Sequence, residues 1–447
     1  MSEIEFNEES KIILEKLKGR TINKKRLLYY TLITAIMAVV FGLVAGITFV
    51  SLTPVLNNKA EKEEQFPEIL FPEDPEEMLP EEMVLESLPA KDEWEYEEAE
   101  LENIPLNEEQ ISQIVSSFSL DIEDYKNMYS AMSSYTQELT YSLVTITCSF
   151  TKKDWLDNIQ TTEKVSPGVF IAEDNELYYI LADYSSVKKA RKINVSLAYE
   201  EKHTMTGTLR GYDPITDIAI LSIRKVDVPK IVKDRETIKV IAIGSSNVSG
   251  LEGEPVVALG SPLGYVGSMG YGIINSTAGE YLAQDGNYKV LQTDISGSSR
   301  GQGFLFNLNG ELMGMITQRG SYDVKNLVSA YSISDLKPRM KKIIKEKKFA
   351  GVGIIGGNVP KSAHEEYGIP YGAYVESVMS DSPAMVAGMQ QGDVIIIMDG
   401  KKISNFSEFS STLLKKNPGT SIELTIMRLV QNEYRELTVE VNLSELE

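Results

Sequence analysis

The first strong feature of the hydropathy pattern is an apolar run without interruption. Residues 27–58 carry no charged side chain, and their core reads LLYYTLITAIMAVVFGLVAGITFV over 27–50. A helix of that length crosses the ~30 Å of hydrocarbon in a bilayer at ~1.5 Å per residue. The pattern predicts one transmembrane helix over 27–52. The preceding residues 16–26 hold six basic side chains and no acid, whereas the far flank turns acidic from Glu61 onward. Basic flanks stay in the cytoplasm. Residues 1–26 are therefore expected to be cytoplasmic, and the rest of the chain extracytoplasmic. A cleaved signal peptide is the competing reading, but the run is too long and no small-x-small cleavage site follows.

The pattern then changes period. Helical spacing occupies about 108–138, in EEQISQIVSSF and IEDYKNMYSAMSSYTQEL. From about 141 it becomes short β-rich runs: SLVTITCSF, VFIAE, YYILA, INVSLAY, HTMTGTLRGYD, IAILSI, EPVVALG and GFLFNLNGELMGMITQ. Val, Ile, Thr and Tyr enrichment with Gly punctuation predicts an all-β barrel or sandwich. Asn309-Gly310 is a hairpin signal. LKPRMKKIIKEKK (336–348) predicts a helical connector. A last unit, 348–447, mixes strands (GVGII, AYVESV, VIIIMDG, IELTIMRL, ELTVEVN) with helical stretches (SPAMVAGM, NFSEFSSTLLKKN).

Composition sharpens this picture. The 447 residues suffice for two or three domains with real cores. Lys and Arg number 44 against 65 Asp and Glu, a net of −21. Residues 61–110 alone hold 20 acids against Lys62 and Lys91, so the remaining chain is near neutral. Self-repulsion and repeated prolines oppose compaction there, which predicts an acidic disordered stalk over 53–107. Phe66, Ile69, Leu70, Trp94 and Tyr96 interrupt the charge, so a docking strip for a basic partner is the alternative. The acidic balance argues against nucleic acid as a partner. The single Cys148 excludes an intrachain disulfide framework and a multi-cysteine metal site. No paired His, Cys or Asp spacing suggests a metal, and no cofactor is expected. Histidine chemistry has two candidates, His203 and His364.

SDSPAMVAGMQQGDVIIIMDGKKI (380–403) resembles the PDZ domain attached to HtrA/DegP proteases, and the resemblance extends over about 350–443. It implies an α+β domain that adds a partner's C-terminal peptide to an open sheet edge and holds its carboxylate on loop amides. GVGIIG (351–356) matches the family's binding loop at Val352, Gly353 and Ile354. The helix near 405–415 forms the other wall, with Phe409 and Leu413 either pocket residues or plain core. His364, in KSAHEEYG, reads as a surface residue of a polar connector.

Four stretches resemble the trypsin-like domain of the same family: SPGVFIAEDNELYYILADYSSVKKA (166–190), RGYDPITDIAILSI (210–223), EPVVALGSPLGYVGSMGYGIINS (254–276) and LQTDISGSSRGQGFLFNLNGELMGMITQ (291–318). The resemblance implies a mainly β fold over 108–345: a trypsin-like double β-barrel of two six-stranded barrels, with the site in the cleft between them. That chemistry needs a serine, a histidine and an aspartate. Asp217, in TDIAIL, matches the aspartate and is expected to cap neighbouring amides. Ser185 stands where the family has its histidine. Gly301 stands at the nucleophile, with a one-residue shift to Arg300 left open. His203 falls in a hairpin away from the cleft. Ser296, Ser298 and Ser299 have no base to activate them, and Arg300 keeps its proton.

The apolar run with its flanks, and the resemblance with its departures at Ser185 and Gly301, together predict a membrane-anchored, extracytoplasmic pseudoprotease with a degenerate triad. It would act as a peptide-binding scaffold or regulator in envelope protein quality control. Expected partners are protein C-termini through the PDZ domain, the membrane, and either its own copies in a homotrimer or an active relative. An active endopeptidase with a rearranged site and a pure PDZ adaptor are the alternatives.

Overall fold

The computed structural model describes residues 121–153, 159–230, 232, 238–319 and 326–446. The expected transmembrane helix (27–52) and acidic stalk (53–107) lie outside the described residues. Among the described residues, no helix is long and apolar enough to cross a membrane.

Helix α1 (Ile122–Leu139) leads in. A reciprocal capping box starts it: Asp121 accepts from the Glu123 and Asp124 amides, and Asp124 accepts from the Asp121 amide. A first barrel follows, from β1 (Leu143–Lys153), β2 (Ile159–Glu173), β3 (Leu177–Asp183), the short helix α2 (Tyr184–Val187), β4 (Lys192–Leu197), β5 (Glu200–Thr206), β6 (Thr208–Asp213) and β7 (Ile218–Arg224). The sheet order is β5-β4-β1-β2-β3-β7-β6, seven strands rather than six. The extra strand arises at Gly207. One run, 200–213, bends there; its first half pairs with β4 and its second with β7, which closes the barrel. A Cβ at Gly207 would meet Ile193 Cγ2 at 2.9 Å, so glycine lets the side chains of β4 pack closely against the bend. Cys148 is buried among Ile146, Phe170 and Ile180, and burial pushes its thiol up to about 11. It is therefore an inert core residue.

The second barrel uses β8 (Ala242–Ile243), β9 (Pro255–Ser261), β10 (Ser268–Ala283), β11 (Gly286–Ser296), β12 (Gln302–Asn307), β13 (Glu311–Thr317) and β14 (Leu327–Ser332). Its order is β12-β9-β10-β11-β14-β13-β8. Pairing of β12 with β13 closes it, and the short β8 is a parallel addition on β13. Asn309-Gly310 turns β12 into β13, with Gly310 at φ +81°. Apolar residues of both barrels, among them Val169, Leu181, Leu259 and Phe304, form one core cluster. At ~1.5–3 kcal/mol per buried large side chain, that shared core fixes the cleft walls.

The basic connector is a helix, α3 (Ile333–Ile344). Lys342 on α3 donates to the Leu414 and Lys416 carbonyls at 2.7 and 2.8 Å, and burial pushes its pKa down to about 8. The C-terminal unit has β15 (Ala350–Gly351), β16 (Ile354–Asn358), α4 (Lys361–Tyr367), β17 (Ala373–Val378), α5 (Pro383–Val386), β18 (Val394–Met398), β19 (Lys401–Lys402), α6 (Phe406–Leu414), β20 (Ser421–Val430), β21 (Glu433–Asn442) and β22 (Ser444–Glu445). Its main sheet runs β16-β17-β18-β20-β21, so β16 is an edge strand. KSAHEEYG, read above as a connector, is helix α4, entered after Pro360 and ended by Gly368 at φ +65°. His364 on α4 stacks on Tyr371 with ring centres 4.0 Å apart, and its Nδ1 lies 2.7 Å from the Ile369 carbonyl.

Candidate functional site

A cavity of about 330 Å³ is lined from both barrels, and Ser185, Asp217 and Gly301 all line it. Neither histidine does: His203 lies on β5 and His364 on α4. Asp217 occupies the turn before β7 with φ +61°. Its Oδ1 accepts the Ser185 amide at 2.9 Å, and its carbonyl accepts the Tyr184 amide at 2.7 Å. Asp217 therefore brackets the first turn of α2 from both its side chain and its backbone. A carboxylate so placed could orient an imidazole, but here it satisfies backbone donors.

The loop before β12 is turned in on itself. The Gly297 amide donates to Asn326 O at 2.7 Å, Ser298 to Pro262 O at 3.0 Å, and Gly301 to Ser298 O at 2.7 Å. An oxyanion hole needs backbone amides aimed at the position of the developing charge. The Gly301 amide instead points into its own loop. A Cβ on Gly301 would lie 2.6 Å from Pro262 O and 2.9 Å from Ser298 O. Both are backbone atoms, so this loop has no room for a side chain. The neighbouring Arg300, the other register, also lines the cavity, and its amide lies 3.3 Å from Ser298 Oγ. Gly301→Ser is expected to cost about 1–3 kcal/mol in urea unfolding, as for other overpacked sites. Ser185→His combined with Gly301→Ser is expected to leave casein intact. An unchanged urea midpoint for Gly301→Ser would contradict this loop geometry.

Among the described residues, three cations line the cavity: Lys164, Arg300 and Arg319. Lys164 Nζ lies 3.4 Å from the Ser185 carbonyl, and Arg319 donates to the Ile215 carbonyl. Facing them are Asp217 and Asp183, the last residue of β3. Asp183 is 5% exposed, and its Oδ2 has no hydrogen-bond partner among the described residues. Burial first, and then the charge of Asp217, push its pKa up to about 8; Lys164 opposes them. Near neutral pH Asp183 thus keeps its proton, and the cleft is cation-rich. Among the described residues, no His, Cys, Asp and Glu grouping could hold a metal.

The second candidate site is the loop ahead of β16. Gly353 has φ +89°, and a Cβ there would lie 2.2 Å from Ser382 Cβ. Glycine thus lets the amides of Val352, Gly353 and Ile354 converge. All three donate to one carboxylate, that of Asp285, at 2.9–3.0 Å. Burial raises the pKa of Asp285, and the three amides oppose that rise. Phe409 and Leu413 on α6 are buried in the core of the C-terminal unit, together with Val352 and Ile354. Asp183, Lys164 and Asp285 were not singled out by sequence reasoning. Asp285-Gly286, between YLAQ and NYKV, is a hairpin dipeptide that the sequence did offer.

A trypsin-like peptidase domain model matches residues 167–315, and a PDZ domain model matches residues 345–443. A probable periplasmic serine endoprotease, DegP-like, from Pseudomonas fulva is 31% identical over 276 residues, which cover 60% of this chain and 53% of the relative. One of the same description from Hahella chejuensis is 30% identical, covering 60% of this chain and 55% of the relative. The chain thus spans about half the length of the curated relatives it matches. Among solved structures, the HtrA-type protease AlgW with decapeptide gives a TM-score of 0.49 at 21% identity, covering 70% of this chain and 99% of that one. The serine endoprotease from Yersinia pestis gives 0.44 at 24% identity, covering 70% and 98%.

Proposed function

We propose that this chain, which belongs to the HtrA-type protease family with a PDZ domain, holds polypeptides without cutting them. The observation that carries this reading is the cleft. Where a serine protease brings a hydroxyl, an imidazole and a carboxylate together, this chain has Gly301 without side-chain space, Ser185 and a backbone-capping Asp217. A hydroxyl without a base is a poor nucleophile at neutral pH, and neither histidine reaches the cavity. Loss of one triad member leaves ~10³–10⁴-fold over water only where the oxyanion hole is intact; here the Gly301 amide is spent on Ser298. The remaining chemistry is adhesive. Lys164, Arg300 and Arg319 favour an acidic stretch of polypeptide in the cleft.

The second binding element is the PDZ groove, with the Val352, Gly353 and Ile354 amides as carboxylate donors and α6 as its wall. The apolar run over 27–52 anchors the chain in a membrane, and the 53–107 stalk spaces the domains 108–345 and 348–447 from it. The curated relatives are named as periplasmic, which favours an extracytoplasmic position for the two domains. The chain then serves envelope protein quality control, by capturing exposed ends of misfolded proteins or by regulating an active relative. A homotrimer suits either role. The test is a fluorophosphonate probe with a casein digest on the purified chain. No labelled serine and no casein fragments above blank are expected. A labelled serine whose substitution abolishes digestion would establish the rearranged endopeptidase instead.

A further inference from the structure

The tip of the β10–β11 hairpin, from the second barrel, sits on the PDZ loop and the edge strand beside it. The Asp285 carboxylate takes the amides of Val352 (2.9 Å), Gly353 (2.9 and 3.0 Å) and Ile354 (3.0 Å). The Asp285 amide donates to the Ile354 carbonyl at 2.8 Å. Two residues on, the Asn287 side chain donates to the Gly356 carbonyl of β16 at 3.0 Å. The tip also meets the opposite wall, because a Cβ on Gly286 would lie 3.1 Å from Ser410 Oγ of α6. Asp285 is 2% exposed.

The carboxylate on three loop amides is the contact an incoming peptide C-terminus would make, and the Asp285 amide on the Ile354 carbonyl is one bond of the main-chain pairing that would follow it. A nest of successive amides binds a carboxylate, and main-chain pairing along a sheet edge binds the residues before it. We propose that Asp285 is an internal stand-in for a C-terminal carboxylate, so that the second barrel closes the PDZ groove and a polypeptide with a free C-terminus must displace the hairpin to bind. This rests on the PDZ reading given above. Peptide capture and release of the β10–β11 hairpin become one event. The hairpin is tethered to the loop it occupies, and short tethers give effective concentrations around ~1 mM. A competing peptide with micromolar intrinsic affinity is weakened accordingly. The barrel therefore senses whether the groove is filled, because β10 and β11 form its wall.

Asp285→Asn is the direct test. Asparagine tolerates the left-handed turn conformation at φ +58°, and it removes the charge and one of the two acceptor oxygens. Asp285→Gly is the second variant, should the amide still plug the loop. The probe is an N-terminally fluoresceinated decapeptide pool ending in Val, Ile, Leu or Phe, read by anisotropy against the full chain, with a C-terminally amidated pool as control. The variants are expected to bind the free-acid pool at least about tenfold tighter than the parent chain. Hydrogen exchange of the parent chain at 283–287 should rise when the free-acid pool is added. Carboxylate-dependent binding of equal affinity in parent and both variants would overturn the stand-in and leave the PDZ reading intact. No binding to parent or to either variant would overturn both.

Discussion

Arg339→Ala is expected to cost about 3–5 kcal/mol of unfolding free energy, the range for breaking one side of a buried ion pair. The guanidinium on α3 donates to Asp213 Oδ2 at 2.6 Å, with side-chain exposures of 7% and 0%. It lies over the rings of Tyr288 (5.1 Å) and Phe349 (5.2 Å). One side chain thus joins the first barrel at the end of β6, the second barrel on β11, and the entry to the PDZ domain ahead of β15. Asp213 also accepts the Ile215 amide at 3.0 Å and the Thr216 hydroxyl at 2.7 Å. Truncating Arg339 leaves that carboxylate buried without its countercharge. Arg339→Lys should lose less, since it keeps the charge but not the planar fork over two rings. Asp213→Asn with Arg339→Met should also lose less than Arg339→Ala, because no orphaned charge remains. Urea unfolding followed by circular dichroism measures each. A midpoint for Arg339→Ala equal to the parent's would refute the staple.

The barrels were readable because their signal is local. YYILA, IAILSI and EPVVALG are runs of apolar and β-branched residues, and they became β3, β7 and β9. Helix α4 was not readable. Its seven residues offer no apolar stripe, and none of them is buried. What defines it is punctuation, Pro360 before and Gly368 after. The seventh strand of the first barrel is likewise a matter of one glycine: HTMTGTLRGYD scans as one strand, and only the packing of Ile193 against Gly207 shows where it bends.

The candidate site divides in the same way. Ser185, Asp217 and Gly301 could be placed by motif order, and they line one cavity. That Gly301 cannot accept a side chain depends on the Pro262 carbonyl, just past the end of the neighbouring strand β9, and no spacing in the sequence reveals it. Asp285 is a sharper case. The amide it binds on Val352 is 67 residues away, in another domain. Its Asp-Gly turn announces a hairpin but not what the hairpin touches. Sequence patterns report a residue's own element. They do not report which element docks against it, and both groove closure and cleft electrostatics are docking properties.

Asp183→Asn is the second large effect, and its sign depends on pH. Asp183 is buried, with Asp217 beside it, and it titrates near about 8 in the native state, against ~3.9 in an unfolded chain. Between those values the native state holds a proton that the unfolded state has released. Unfolding free energy therefore falls as pH rises through this window, by up to ~1.4 kcal/mol per pH unit, and levels off above the native value. This contribution is fully present below about pH 4 and lost by about pH 8 to 9. The isosteric amide of Asp183→Asn cannot ionise. The variant should lose most of the slope between pH 5 and pH 8 and be more stable than the parent at pH 9 by roughly a few kcal/mol. The same proton sets the charge of the cleft. Deprotonation adds a second carboxylate opposite Lys164, Arg300 and Arg319, so an acidic peptide bound there should weaken above pH 8 in the parent and not in the variant. Urea midpoints from pH 5 to 9 decide the matter. Parallel profiles for parent and variant would mean that Asp183 is ionised throughout, and that the cleft is less cationic than its lining suggests.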